Sequence, residues 1–158
     1  MKKVKQNGKV VNEKKLNWIT YKNGERFLFF RKRLGLSAGS RNLGCSLYEV
    51  PPKKQSFPLH FHHSNEEAIF ILSGCGLLRT INKTKRISEG DYLSLLPGPT
   101  GSHQLINNSN ETLRYLCFST MIEPDICEYP DSKKLIVFGE TQSCFRVDRK
   151  LKYWSGEK

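Results

Sequence analysis

The chain has 158 residues, of which 37% are hydrophobic and 26% charged, and carries a formal net charge of +11 from 26 Lys and Arg against 15 Asp and Glu. That length suits one domain with a real core; the composition excludes a disordered chain, and the lack of an apolar run near 18 residues excludes a transmembrane helix. A basic chain attracts polyanions, but the positive charge is spread along the sequence and concentrated at its ends, without a helix-turn-helix, zinc-finger or aromatic RNA-binding motif, so no specific nucleic-acid partner is expected.

Residues 1–15 are polar, hold six lysines and read as a basic mobile arm. Their start, Met1-Lys2-Lys3-Val4-Lys5, lacks the apolar stretch of a secretory leader, so a cytoplasmic location is expected. Residues 16–44 are expected to form N-terminal strands and a loop that pack on the rest. Within them Trp18-Ile19-Thr20-Tyr21, Asn23-Gly24 and Phe27-Leu28-Phe29-Phe30 read as strand, hairpin turn and strand, and residues 33–44, with three glycines, as a loop. Residues 45–120 are the expected barrel core. Cys45–Val50 is a strand stopped by Pro51-Pro52, and short strands and turns then alternate every eight to twelve residues, the rhythm of an all-β sandwich or barrel. In residues 121–158, Glu123-Pro124-Asp125 and Tyr129-Pro130-Asp131-Ser132 are turn-rich. Leu135-Ile136-Val137-Phe138 is the last strand, and the tail is expected to pack Tyr153 and Trp154 on the domain.

Three of the four histidines fall on one pattern: His60-Phe61-His62, a glutamate at Glu66 or Glu67, Gly74, and His103 about forty residues on. His60 and His62, two apart on a strand, share a face. Three imidazoles and one carboxylate converging from separate strands suit a divalent transition metal. His63 has the opposite parity and is excluded as a ligand. Asn107 and Asn108 read as turn-capping residues, Arg79 as an exposed strand arginine rather than an anion-binding one, and Cys75 as a turn residue. The five cysteines, odd in number and without a Cys-x-x-Cys pair, read as free thiols. In Ala68-Ile69-Phe70-Ile71-Leu72 both faces are apolar, which calls for a second layer outside the barrel, either the N-terminal hairpin or a second subunit; a homodimer is expected.

These residues resemble the cupin superfamily. His60, His62, Glu67 and Gly74 match its first motif in LHFHHSNEEAIFILSG, and Gly90, Pro97, Gly101, His103 and Asn107 match its second in GDYLSLLPGPTGSHQLIN. Two departures alter loops only: Lys53 and Lys54 stand at the turn where the first motif opens on glycine, and the second motif is two residues longer between Gly90 and His103. Residues 33–157 are similar to an uncharacterised bacterial group of one-domain cupins, some labelled sugar-phosphate-isomerase-like. The resemblance implies an all-β cupin double-stranded β-helix (jelly-roll barrel) with an N-terminal strand extension. It favours Glu67 over Glu66, and implies one divalent transition metal (Fe, Mn, Zn or Ni) on His60, His62, Glu67 and His103.

The pocket lining is expected to include Ile69, Ile71 and Leu105. The expected ligand is a small oxygen-rich, anionic metabolite. Two readings stay open: an enzyme, such as a metal-dependent isomerase or dioxygenase, and a non-catalytic metal-dependent binding or sensing module.

Overall fold

The structure, a computed structural model, describes residues 9–157. Among the described residues thirteen strands run in chain order: β1 Ile19–Asn23, β2 Phe27–Lys32, β3 Gly44–Val50, β4 Phe61–His62, β5 Glu67–Ser73, β6 Cys75–Arg79, β7 Thr84–Ser88, β8 Tyr92–Leu95, β9 Gln104–Ile106, β10 Leu113–Ser119, β11 Asp125–Tyr129, β12 Lys134–Phe138 and β13 Ser143–Arg146. One turn of helix, α1 Leu34–Ser37, interrupts the stretch expected to be loop. The strands make a six-stranded sheet in the order β1-β2-β3-β10-β5-β8, a four-stranded sheet β13-β12-β11-β4 and a three-stranded sheet β7-β6-β9. Every strand pairing is antiparallel.

Strand parity explains the core. Along β5, Ile69 and Ile71 are 2% and 0% exposed, whereas Phe70 between them is 37% exposed. Their partners Cys117 and Tyr115 on β10, and Tyr48 on β3, face the same side. That inner face meets Ile87 of β7 and Leu105 of β9 in one buried cluster, so two facing sheets close around a common core. The hairpin β1–β2 lengthens the large sheet at the β3 edge, as an N-terminal strand extension.

The second layer expected over Ala68, Phe70 and Leu72 is therefore not the hairpin, which lies edge-on in the same sheet. A different segment crosses part of the outer face. A 3-10 turn at Glu13–Lys15 brings the Glu13 carboxylate to Lys32 (2.7 Å) and Arg114 (3.2 Å), and Lys32 also lies 4.3 Å from the Trp18 ring centroid. Lys32, on the outer face, is only 6% exposed. Of the arm expected at residues 1–15, residues 1–8 lie outside the described residues, and Glu13 ties its last residues to the sheet.

Two further expectations change in the C-terminal region. The turn-rich segment contains β11, and β12 is followed by β13 rather than being last. Tyr153 and Trp154 are 86% and 74% exposed and touch each other, with ring centroids 4.7 Å apart, instead of packing on the domain. All five cysteines are free thiols. Among the described residues no helix is long and apolar enough to cross a membrane.

Candidate metal centre

His60, His62, Glu67 and His103 meet at one end of the barrel because four separate backbone devices aim them there. His60 and His103 form an antiparallel bridge, exchanging backbone N–H···O bonds of 3.2 and 2.8 Å. Alternation on β4 sends His62 to the same side as His60, and turns Phe61 and the exposed His63 outward, where His63 reaches Glu128 at 3.2 Å. Glu67 is the first residue of β5, held between Ser119 on β10 and Leu95 on β8. His103 follows a 3-10 turn at Pro99–Gly101, where a Cβ on Gly101 would stand 1.8 Å from the Leu96 carbonyl oxygen, so only glycine fits.

The carboxylate of Glu67 lies 3.3 Å from His103 Nε2 and 3.7 Å from His62 Nε2. The candidate donor atoms of His60, Glu67 and His103 all stand within 4.8 Å of one another. Glu66, the competing carboxylate, is exposed, and its backbone pairs with Thr120. Each imidazole has its Nδ1 occupied: His60 with the Pro58 carbonyl (2.8 Å), His103 with the Gly101 carbonyl (2.9 Å) and His62 with Asp125 Oδ2 (2.5 Å). These acceptors place the ring protons on Nδ1 and leave the three Nε2 lone pairs facing inward, the arrangement of metal-binding histidines.

Electrostatics supports the same donor state. Burial, helped by the neighbouring His103, holds His60 down to about 3, so its ring is neutral near pH 7. Burial alone would raise Glu67, but in acid, when the rings carry protons, a hydrogen bond from His103 and the charge of the imidazoles hold it down to about 2, so the carboxylate is already ionised where the rings are neutral. A neutral imidazole and an ionised carboxylate are the forms that bind a divalent cation. The donor set thus fits a transition metal.

The strand β11 contributes a layer that sequence reading missed. Residues Asp125, Cys127 and Tyr129 alternate inward: Cys127 lies opposite His62, and Tyr129 stacks on the His60 ring at 5.6 Å. Asp125 is 2% exposed and also accepts from the Ser64 backbone N–H (2.9 Å). Burial raises its carboxyl, but the bonds from His62 and Ser64 outweigh it, and it stays below its usual range. Cys127, 1% exposed, forms a second donor group with His60 and His62, although burial pushes its thiol up to about 12. The available signal was the Asp-x-Cys-x-Tyr alternation, masked by the prolines at 124 and 130.

A cavity of about 290 Å³ opens over the cluster, at the low end of small-molecule sites. Ile69 and Leu105 line it, whereas Ile71, 0% exposed, belongs to the packed core and is not among the lining residues. Arg31, not singled out in the sequence, lines it as well. Arg79 does not; it forks onto Asp131 at 2.6 and 3.0 Å outside. Asn107, 0% exposed, caps backbone groups, donating to the Val50 and Glu111 carbonyls.

The Cupin domain profile matches residues 46–119. An uncharacterised protein of Methanocaldococcus jannaschii is 32% identical over 72 residues, 46% of this chain and 49% of its own, so the chain spans about half the length of that curated relative. A crystal structure of a proposed sugar phosphate isomerase from Acidithiobacillus ferrooxidans is 30% identical, with a TM-score of 0.72 over 79% of this chain and 81% of that one. A cupin-superfamily sugar phosphate isomerase structure from Silicibacter pomeroyi, 18% identical, shares the fold with a TM-score of 0.80 over 89% and 94% of the two chains.

Proposed function

The chain belongs to the cupin superfamily, and from that premise we propose that it binds one divalent transition metal (Fe, Mn, Zn or Ni) on His60, His62, Glu67 and His103 and uses it to hold a small, oxygen-rich, anionic metabolite. One observation carries this reading: three imidazoles, each with Nδ1 engaged by a fixed acceptor, gather round one carboxylate in the lining of a cavity, with the Nε2 atoms of His62 and His103 3.7 and 3.3 Å from it.

When bound, the metal would supply a Lewis acid or an oxygen-activating centre. The chain's own residues do the rest. Pro58, Gly101 and Asp125 fix the three ring orientations. Ile69 and Leu105 exclude water from one wall. Sugar-phosphate isomerisation is the candidate reaction favoured by the 30% identical relative, and oxygen-dependent cleavage is its competitor within the enzyme reading.

A non-catalytic binding or sensing module is the second reading, favoured by the titratable groups around the cluster. Burial raises the Cys117 and Cys127 thiols and the Tyr129 phenol, so each keeps its proton near neutral pH and none serves there as a general base. Metal identity separates the readings: an oxygen-sensitive Fe(II) or Mn(II) supports an enzyme, and tight Zn(II) without exchangeable water supports the module. We further propose that the chain works as a homodimer in the cytoplasm.

Elemental mass spectrometry of untagged protein is expected to find about one metal per chain. The His60→Ala/His62→Ala double variant should lose it while remaining folded. Stoichiometric metal in that variant would overturn the assignment. Glu67→Gln should weaken metal binding by at least about ten-fold and Glu66→Gln by less than about two-fold, because only Glu67 faces the imidazoles.

A further inference from the structure

Arg31 lies on the inner face of β2, opposite Tyr48 of β3, and lines the same cavity as the histidine cluster. Three other arginines have anionic partners, Arg79 with Asp131, Arg114 with Glu13 and Glu49, and Arg146 with Asp148, whereas Arg26 and Arg33 meet only the neutral Gln55 and Tyr21 side chains outside the cavity lining. Among the described residues no carboxylate stands within ion-pair distance of Arg31. Of the acids lining the cavity, the half-buried Glu67 and the buried Asp125 are already committed to histidines.

Arg31 is nevertheless positioned. Its Nε donates to Ser46 Oγ at 3.0 Å, and its guanidinium carbon lies 5.4 Å from the Tyr48 ring centroid. Ser46 and Tyr48 are 5% and 4% exposed, so both supports are fixed by the core. Holding Nε and one face of the plane leaves the two terminal nitrogens without an anionic partner; the neutral Tyr21 hydroxyl is the protein group beside them. A preset guanidinium fork of this kind matches the paired oxygens of a carboxylate or phosphate. A half-buried cation without a counterion also carries a desolvation cost that an incoming anion relieves.

We propose that Arg31 is the anion anchor of the cavity: it receives the carboxylate or phosphate tail of a ligand whose oxygen-donor end lies at the histidine–glutamate cluster. This deepens the metal-centred reading and rests on it for the second attachment point. It narrows the ligand class to small metabolites with a chelating head and a separate oxyanion tail.

The test is calorimetric titration of metal-loaded protein with two tailed probes, 2-oxoglutarate for carboxylate and ribulose 5-phosphate for phosphate. Their tail-less counterparts, 2-oxobutanoate and ribulose, are titrated beside them. Wild type should prefer at least one tailed probe to its counterpart, and Arg31→Gln should weaken that probe by at least about ten-fold, the worth of a lost charge-assisted contact. Binding of the counterpart and metal content should stay unchanged. Whichever tail is preferred assigns the oxyanion. Equal binding of the tailed probes to wild type and Arg31→Gln, or binding of neither to wild type, overturns the anchor. Should Arg31→Gln melt early, Arg31→Met, which keeps the aliphatic stem on Tyr48, is read by the same criteria. The His60→Ala/His62→Ala variant separates this proposal from the one beneath it: a tailed probe that binds that variant as tightly as wild type, but not Arg31→Gln, leaves the anchor standing and removes the metal-centred pocket.

Discussion

At the scale of single residues, the centre is a set of side chains whose protonation is set by burial at His60 and by neighbouring imidazoles at Glu67. In metal-free protein His60 titrates near 3, against about 6.5 in an unfolded chain. Between those values the unfolded state binds the extra proton, so stability is present above about pH 6.5 and is lost as pH falls toward 3. Glu67, held at about 2, adds a loss that starts below its unfolded value of about 4.3 and runs down to about 2. The melting temperature of metal-free protein is therefore expected to fall as pH drops from 6.5, and to fall more steeply below about 4.3. His60→Gln should flatten the upper limb only. A wild-type profile that is flat between pH 6.5 and 4.5 would contradict a neutral buried His60. Strand parity made His60 and His62 legible as partners, since residues two apart share a face whatever the tertiary fold. Asp125 was not legible, because its bond to His62 joins residues 63 apart in sequence.

At the scale of elements, two turns carry opposite solutions to the same backbone problem. Gly74, between β5 and β6, has φ +81°, and a Cβ there would stand 2.5 Å from the Thr112 carbonyl oxygen. Gly74→Ala is expected to cost at least about 2 kcal/mol, through left-handed backbone strain plus a clash with main chain, and chemical denaturation would measure it. Lys53 sits at the turn where the cupin motif opens on glycine, and it adopts φ +61°, as a glycine would. Its Nζ donates to the Asn108 carbonyl at 2.8 Å, a local bond that helps hold the turn. Lys53→Gly relieves the strain but frees the unfolded chain and loses that bond, so it should shift stability by less than about 1 kcal/mol. Lys53→Val should destabilise clearly, because a β-branched residue resists positive φ. The missing motif glycine thus left the turn intact. The strand β11 was hidden for a related reason: the prolines on either side signal turns, whereas its pairing with β4 and β12 is a long-range event.

At the scale of the molecule, the outer face of the large sheet is covered unevenly. Around Lys32 and Arg114 the segment carrying Glu13 shields it. Glu13→Gln should lower the melting temperature, because it removes the charged partner of a lysine that is only 6% exposed; an unchanged value would mean that the Glu13 carbonyl and Trp18 suffice to hold that lysine. Farther along the face, Phe70 and Tyr92 lie opposite each other, 37% and 66% exposed. Light scattering is expected to give about twice the 18.2 kDa chain mass, with that surface buried between copies. Phe70→Glu should then shift the protein to monomers without loss of metal. A wild-type monomer at micromolar concentration would show that the face tolerates water.

The sequence by itself determined what depends on short-range geometry. Alternation along each strand placed Ile69 inward and Phe70 outward, paired His60 with His62 and set His63 apart, and the glycine and proline punctuation marked the barrel's turns. Resemblance to a known motif then chose Glu67 over Glu66 as the proposed ligand; Glu67 lies 3.3 and 3.7 Å from two imidazoles and Glu66 is exposed. Only the tertiary structure decided which distant elements share the cavity: Asp125, Cys127 and Tyr129 from β11, and Arg31 from β2. It also decided that the hairpin extends the sheet instead of covering it. The physical reason is the same throughout. Which face a side chain occupies follows from its own backbone, whereas what it meets there is settled by contacts between strands far apart in the chain.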